Sequence, residues 1–356
     1  MDQKNQPAPQ PPYGNMTTRP KKKKTGLLVG ITLGVIAAIA IIAAVLVYFL
    51  WWQNPQKMVT DAVSSAITTK RATANGKVVV DMQDSAKLEL NIKAASASDK
   101  AKVNIDATLS VKAVEKKFSL KGDVAIDGDG TIYIKIDNLK GLYGDILDMI
   151  IEKQSVESGI NLSKDQIKAY RDQALGRLDS QLDKVNGKWM KISPTEFTDD
   201  NNKCYADILK KVRSDDNIRK EISQFYQKNS FLDVKDAKLS DRNGGRGFEV
   251  EGNRDKAAKF ADQLKDSSIG KEAGNCKKID GSKVTDSSAK KSTLKLWVDS
   301  FSHELKALEL KGKNDKASTE ISLDVTMNKA DEVDIPSNAG NLKELLSGFM
   351  SSLSSL

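Results

Sequence analysis

Between residues 76 and 137 the chain alternates apolar and polar side chains with a period of two. Lys87, Glu89 and Asn91 are typical of the polar positions. The apolar positions are Val78, Val80, Met82, Leu88, Leu90, Ile92, Val103, Ile105, Ala107, Leu109, Val111, Phe118, Leu120, Val124, Ile126, Ile132, Ile134 and Ile136. Such alternation places one face of a sheet in water and the other under a cover. The pattern therefore predicts an antiparallel meander of five strands.

Three further strands are predicted near the end of the chain, over 293–299, 303–311 and 317–327. Short strands are also predicted over 188–192 and on both sides of the Asn243–Gly245 turn. The strands therefore form an early and a late block.

Helical spacing dominates between the two strand blocks. Ser163 is a typical N-cap, and the apolar residues after it recur every three, four and seven positions until Gly187. The other predicted helices start at Pro55 with Asn54 as the cap, cover 139–158, cover 204–228 as one helix or two, and follow Asn253. Residues 266–292 are polar and predict a loop.

A different pattern is the apolar run of 26 residues without a charge from Leu27 to Trp52. As a helix it rises about 1.5 Å per residue and exceeds the roughly 30 Å core of a bilayer. Four lysines precede it at 21–24, and Tyr48 and Trp51 stand near its end. Lysines stay on the cytoplasmic side and aromatic residues at the headgroup level. We therefore expect an uncleaved signal anchor. A cleaved signal peptide is the alternative, but the run lacks a small-residue cleavage site.

Three domains follow from these patterns. Residues 1–26 are a Pro- and Gln-rich cytoplasmic tail with too little apolar surface to fold. Residues 27–52 span the cell membrane once, which makes the lipid bilayer a partner. Residues 53–356 are extracytoplasmic. The predicted fold class is α+β: a single N-terminal transmembrane helix, then a curved antiparallel β-sheet, or half-barrel, with helices covering its concave face.

Charge and small residues bear on partners. Residues 1–26 carry six of the 56 basic and one of the 48 acidic residues, so the remainder is nearly balanced. A nucleic-acid partner is therefore not expected. Gly26, Gly30 and Gly34 share one helix face, which favours helix–helix self-association. The alternative is that glycine is simply common in membrane helices.

Cys204 and Cys276 both fall in the extracytoplasmic part, where thiols oxidise. We expect a disulfide between them. Two isolated cysteines and one histidine do not make a zinc site, so no metal centre is predicted.

Catalytic chemistry is not indicated. His303 is the single histidine and is predicted on a surface strand, with Asp299 and Ser300 beside it in a turn. A triad needs partners from separate elements. Asp127 and Asp129 form a hairpin turn without the further ligands of a calcium loop. No phosphate loop or dinucleotide fingerprint appears. We therefore expect neither an enzyme nor a cofactor.

Several short motifs, in their order, resemble the LolA-like half-barrel superfamily, in particular the LppX/LprG-type bacterial cell-envelope lipoproteins. They are Gly187–Ile192 (GKWMKI), Phe248–Val250 running into 257–264, Leu296–Asp299 and Val333–Pro336. The resemblance covers about 55–350. It implies a half-barrel with a hydrophobic cavity for the acyl chains of lipids or glycolipids. A protein span replaces the family's lipidated cysteine, which favours a fixed tether over free carriage.

Two functions are compatible with the sequence. The first is binding of a lipid, glycolipid or other acyl-chain ligand inside the half-barrel. The alternation places these residues on its wall: Val80, Leu90, Ile92, Ile105, Leu109, Leu120, Val124, Ile132, Ile134, Leu296, Ile321 and Leu323. The second is a structural or signalling ectodomain with a packed core that binds another envelope protein.

Overall fold

The computed structural model describes residues 52–97, 99–112, 115–160, 162–196, 200–274, 276, 291–330 and 332–344. The chain divides into two compact units between Trp52 and Gln53. In the described part, no helix is long and apolar enough to cross a membrane. The predicted span 27–52, apart from Trp52, and the glycines at 26, 30 and 34 lie outside the described residues. The anchor and its self-association therefore stay predictions.

The second unit, Gln53–Leu356, is α+β. Its helices are α1 (Pro55–Thr68), α2 (Leu139–Glu157), α3 (Lys164–Val185), α4 (Asp200–Ser214), α5 (Asp216–Lys228), α6 (Arg254–Asp266) and α7 (Ser268–Ala273). Its strands are β1 (Arg71–Met82), β2 (Ala86–Ala97), β3 (Lys100–Val111), β4 (Lys116–Ile126), β5 (Ile132–Asp137), β6 (Trp189–Ile192), β7 (Leu232–Arg242), β8 (Gly245–Gly252), β9 (Lys291–Asp299), β10 (Leu305–Lys313), β11 (Ser318–Met327) and β12 (Gly340–Asn341).

All twelve of these strands belong to one open sheet, in the order β12-β6-β5-β4-β3-β2-β1-β11-β10-β9-β8-β7. Neighbouring strands are antiparallel except β12 and β6, which pair in parallel. The early and late strand blocks meet where β1 pairs with β11. The predicted meander and the single large sheet are confirmed.

Two glycines allow neighbouring strands to approach closely on the apolar face. Gly76 pairs with Leu323 and Ile92, and Gly122 pairs with Ile105 and Ile136, all in one row across the apolar face. A Cβ on Gly76 would lie 2.0 Å from a carbonyl oxygen of β11, and one on Gly122 would lie 2.7 Å from a carbonyl oxygen of β5. Neighbouring backbone thus occupies the space that side chains would need. Only glycine permits this close approach of neighbouring strands.

The buried core lies under α1. Asn54 caps the helix by accepting a hydrogen bond from the backbone of Lys57, as predicted. The helix packs three of its side chains on the apolar face of β8 and β9. The core consists of Met58, Val59, Ala62, Phe248, Val250, Leu296 and Val298. Every described strand and this core lie within residues 53–356, so this segment has what an independently folding domain requires.

The predicted disulfide between Cys204 on α4 and Cys276 after α7 is confirmed. The loop predicted over 266–292 is partly wrong, because Ser268–Ala273 is helical. The hydroxyl of Ser267 accepts a hydrogen bond from the backbone of Gly270 at 2.9 Å and caps this helix. Residues 275 and 277–290 lie outside the described residues.

The predicted position of His303 is also wrong. It lies in the turn between β9 and β10, not on a strand, and is 1% exposed. Its Nδ1 is 2.7 Å from Oδ2 of Asp61, which also accepts from Nζ of Lys57 at 2.7 Å. Asp61, which lies on α1 and is far away in sequence, thus gives the buried imidazole a polar partner. The pair joins α1 to the β9–β10 turn.

Candidate functional site

An apolar cavity lies between β5 and β6 on one side and α2 and α3 on the other. Its volume is about 310 Å³. It is lined by Ile134, Ile136, Leu139, Tyr143, Leu178, Gln181, Leu182, Val185, Lys188, Met190 and Leu342. Three of these side chains carry a polar group. An apolar pocket with few polar groups is the usual form of a small-molecule site, whose volumes run from roughly 300 to 1,000 Å³.

The sheet side of the cavity follows from strand register. Ile134 on β5 pairs directly with Met190 on β6, so both side chains stand on the apolar face. The chain reaches β6 through Gly187, which has φ +69° and donates its backbone N–H to the carbonyl of Ile136 at 2.8 Å. This left-handed residue turns the end of α3 into the neighbouring strand. The GKWMKI motif thus forms one border of the cavity.

The helix side of the cavity comes from α3. Ser163 and Gln166 form a reciprocal capping box that starts this helix. Leu178, Leu182 and Val185 then follow at spacings of four and three, so they share the face that meets the sheet. The helical spacing of these residues therefore forms the apolar wall of the cavity opposite the sheet.

Ion pairs fix α2 against α3. The ammonium of Lys140 lies 2.5 Å from Asp179 and 2.6 Å from Asp183. These hydrogen bonds raise the pKa of Lys140, with the bond to Asp179 as the largest cause. Arg171 bonds Asp148 at 3.0 Å. These polar contacts join α2 to α3 at their sides, while their apolar faces border the cavity.

All twelve residues predicted to line a cavity lie on one face of the sheet, as the strand registers show. They do not lie at one place. Ile134 borders the apolar cavity. Leu296 is 5% exposed in the core under α1. The other ten are half-buried along the middle of the sheet and on β5.

Sequence reasoning missed the helical half of the site. The period of the apolar residues after Ser163 predicts that Leu178, Leu182 and Val185 share a helix face, but nothing local in the sequence places that face over β5. Tyr143 and Leu342 carried no signal that joined them to the strands. Pairing between elements far apart in sequence would have been needed to find them.

The imidazole of His303 lies against α1. Its close polar partner is Asp61 on α1, while Asp299 accepts backbone hydrogen bonds from Phe301 and Ser302 at 2.9 Å. These backbone bonds, the one from Ser302 first, lower the pKa of Asp299. Throughout the described part, no group of three or more His, Cys, Asp or Glu side chains is arranged to hold a metal ion.

Comparison with known proteins gives a weak likeness in structure and none in sequence. No family model matches the chain, and no curated protein matches it in sequence. A solved structure that it resembles is the crystal structure of LprF from Mycobacterium bovis, with 12% identity, 80% of this chain and 97% of that chain covered, and a TM-score of 0.31. A TM-score of this size carries no argument about ligands, so the function is inferred from the cavity itself.

Proposed function

We propose that this protein is a membrane-anchored extracytoplasmic binding protein that holds an acyl chain of a lipid or glycolipid, without enzymatic activity. The apolar cavity between β5, β6, α2 and α3 carries the proposal. Its walls are almost wholly hydrocarbon, and such a cavity favours an apolar occupant over water. Residues 27–52, as a membrane anchor, would keep the domain at the outer face of the cell membrane.

The resemblance in sequence motifs supports the same function. The GKWMKI segment, Gly187–Ile192, borders the cavity in the folded chain. We propose that the curved sheet is a half-barrel of the LolA-like kind, opened at this end for a ligand.

Native mass spectrometry and lipid extraction of purified residues 53–356 test the proposal. A co-purified acyl lipid, or uptake of a fluorescent fatty acid, is the expected result. Ile134→Gln should abolish uptake in a folded domain, because a buried amide in the wall is unfavourable for hydrocarbon. A domain that emerges empty and takes up no fatty acid contradicts the proposal.

Ile321→Gln is the matched control, because Ile321 is a half-buried isoleucine on the same sheet face that does not border the cavity. It should leave uptake unchanged. Loss of uptake in both variants would place the ligand along the middle of the sheet.

A packed ectodomain that binds another envelope protein is the second candidate. The closely packed core under α1 favours it, since Phe248 and Val298 are fully buried there. An empty domain in the lipid experiments would support this function.

A further inference from the structure

A polar hollow adjoins the apolar cavity. It has a volume of about 620 Å³ and is lined by Lys184, Gly187, Lys188, Trp189, Met190, Asn338, Gly340, Asn341 and Glu344. Lys188 and Met190 line both spaces. The two spaces are therefore neighbours at β6.

The charges of this hollow are mainly positive. Lys184 and Lys188 are exposed, and neither forms an ion pair within the part of the chain that the structure describes. Lys184 Nζ instead lies 3.2 Å from Oε1 of Gln181, a residue of the apolar cavity. Glu344 is the one carboxylate that borders the hollow among the described residues.

The contrast with Lys140 shows what these lysines lack. Lys140 contacts α3 as well, but two aspartates neutralise its ammonium. Lys188 stands at the boundary between hydrocarbon and water, where an aliphatic stem with a charged end is well suited. A positive charge beside a low-dielectric pocket attracts an anion more strongly than the same charge in open water.

We propose that the two spaces form one site for a single-chain amphiphile with an anionic head. The chain lies in the apolar cavity, and the head lies between Lys184 and Lys188. The inference rests on the proposed function, because it requires that the cavity take an acyl chain. A cavity at the small end of the usual range favours one chain over several.

Calorimetric titration of residues 53–356 with probes that share one dodecyl chain tests the head group. The probes are dodecanoate, dodecyl phosphate, dodecanol and dodecyltrimethylammonium. Both anions should bind about tenfold more tightly than dodecanol, which corresponds to about 1.4 kcal/mol. The cation should bind most weakly. Tighter binding of dodecyl phosphate would point to a phosphorylated lipid, and tighter binding of dodecanoate to a fatty acid.

The double variant Lys184→Gln/Lys188→Gln should weaken both anions about tenfold more than it weakens dodecanol, whose own binding reports any change that position 188 makes to the cavity wall. Lys93→Gln/Lys117→Gln removes the same charge from exposed lysines of the opposite sheet face and should change nothing. Added salt should reduce the anion preference of the wild type and of the Lys93→Gln/Lys117→Gln control, and should have little effect on the Lys184→Gln/Lys188→Gln variant.

The outcomes separate the two proposals. If dodecanol binds as tightly as the anions, or if the lysine variant keeps the anion preference, the anionic-head site is wrong while acyl-chain binding stands. If no probe binds, the acyl-chain function itself fails. A variant that loses dodecanol binding as well has lost the cavity, and Lys188→Met, which keeps an apolar stem, then decides whether charge is the cause.

Discussion

The two ends of the sheet have the same alternating strands but different covers. At the β8–β9 end, α1 presses Met58, Val59 and Ala62 onto the apolar face, and all three are fully buried. At the β5–β6 end, α2 and α3 leave a cavity of about 310 Å³. An apolar sheet face therefore does not decide whether a space is filled. The side chains that the covering helices place on that face decide it.

The disulfide lies toward α1, because it joins α4 to the segment after α7, and α4 packs against α5, which in turn packs against α1. Cys204→Ser/Cys276→Ser should lower the free energy of unfolding by about 4 kcal/mol, since the bridge spans 72 residues and long loops constrain the unfolded chain most. Urea unfolding measures this. Retained uptake of the fluorescent fatty acid in the folded variant is expected, and loss of uptake would show that the two ends are coupled.

Truncation of an apolar side chain should lower the free energy of unfolding more in the core under α1 than at the apolar cavity. Phe248→Ala should destabilise the domain by about 3–4 kcal/mol, because the surrounding core cannot close the gap. Ile134→Ala should cost less than about 2 kcal/mol, because Ile134 already faces a cavity. Equal losses in urea unfolding would mean that the cavity end is as tightly packed as the core.

Enlarged side chains should also destabilise the packed end more than the cavity end. Ala62→Leu overpacks the core under α1 and should cost about 1–3 kcal/mol. Leu182→Phe has space to enter and should change stability by less than about 1 kcal/mol while blocking fatty-acid uptake. Unfolding of the Leu182 variant at low denaturant, with uptake intact, would contradict the cavity.

Ion pairs on the polar face of the sheet should contribute least to the stability of the fold. Lys87, and then Lys77, donate hydrogen bonds that lower the pKa of Glu89 to about 2. A lowered carboxyl pKa stabilises the fold above the unfolded value and ceases to do so as pH falls through the folded value. Glu89→Gln should therefore be slightly less stable than the wild type at neutral pH. The difference should vanish between about pH 4.5 and 2, as measured by thermal unfolding. A constant difference across this range would exclude the ionised carboxylate as its cause.

The sequence predicts the single strands and helices, but it does not predict which helix packs on which strand. Alternation predicted β1 to β5, and the caps at Asn54 and Ser163 predicted where α1 and α3 start, because each signal lies within a few residues. The same alternation selected Leu296 and Ile134 alike, although only one of them lies under α1. Which strand each helix covers depends on contacts between distant segments.

His303 gives the clearest example of a missed position. Its neighbours in sequence are polar and predict an exposed site, but Asp61, 242 residues away, provides a buried partner. The disulfide was predictable because the chain offers a single pair of cysteines.

The pairing of β1 with β11 has a consequence for synthesis. Ala72 lies opposite Met327, so the first strand gains its second neighbour only when nearly the whole chain has emerged. Until then β1 exposes unpaired backbone groups along one edge, which other nascent strands can capture. Closure between segments so remote in sequence is also slow. We expect this domain to depend on a chaperone during its biogenesis more than a protein whose sheet is assembled from successive hairpins.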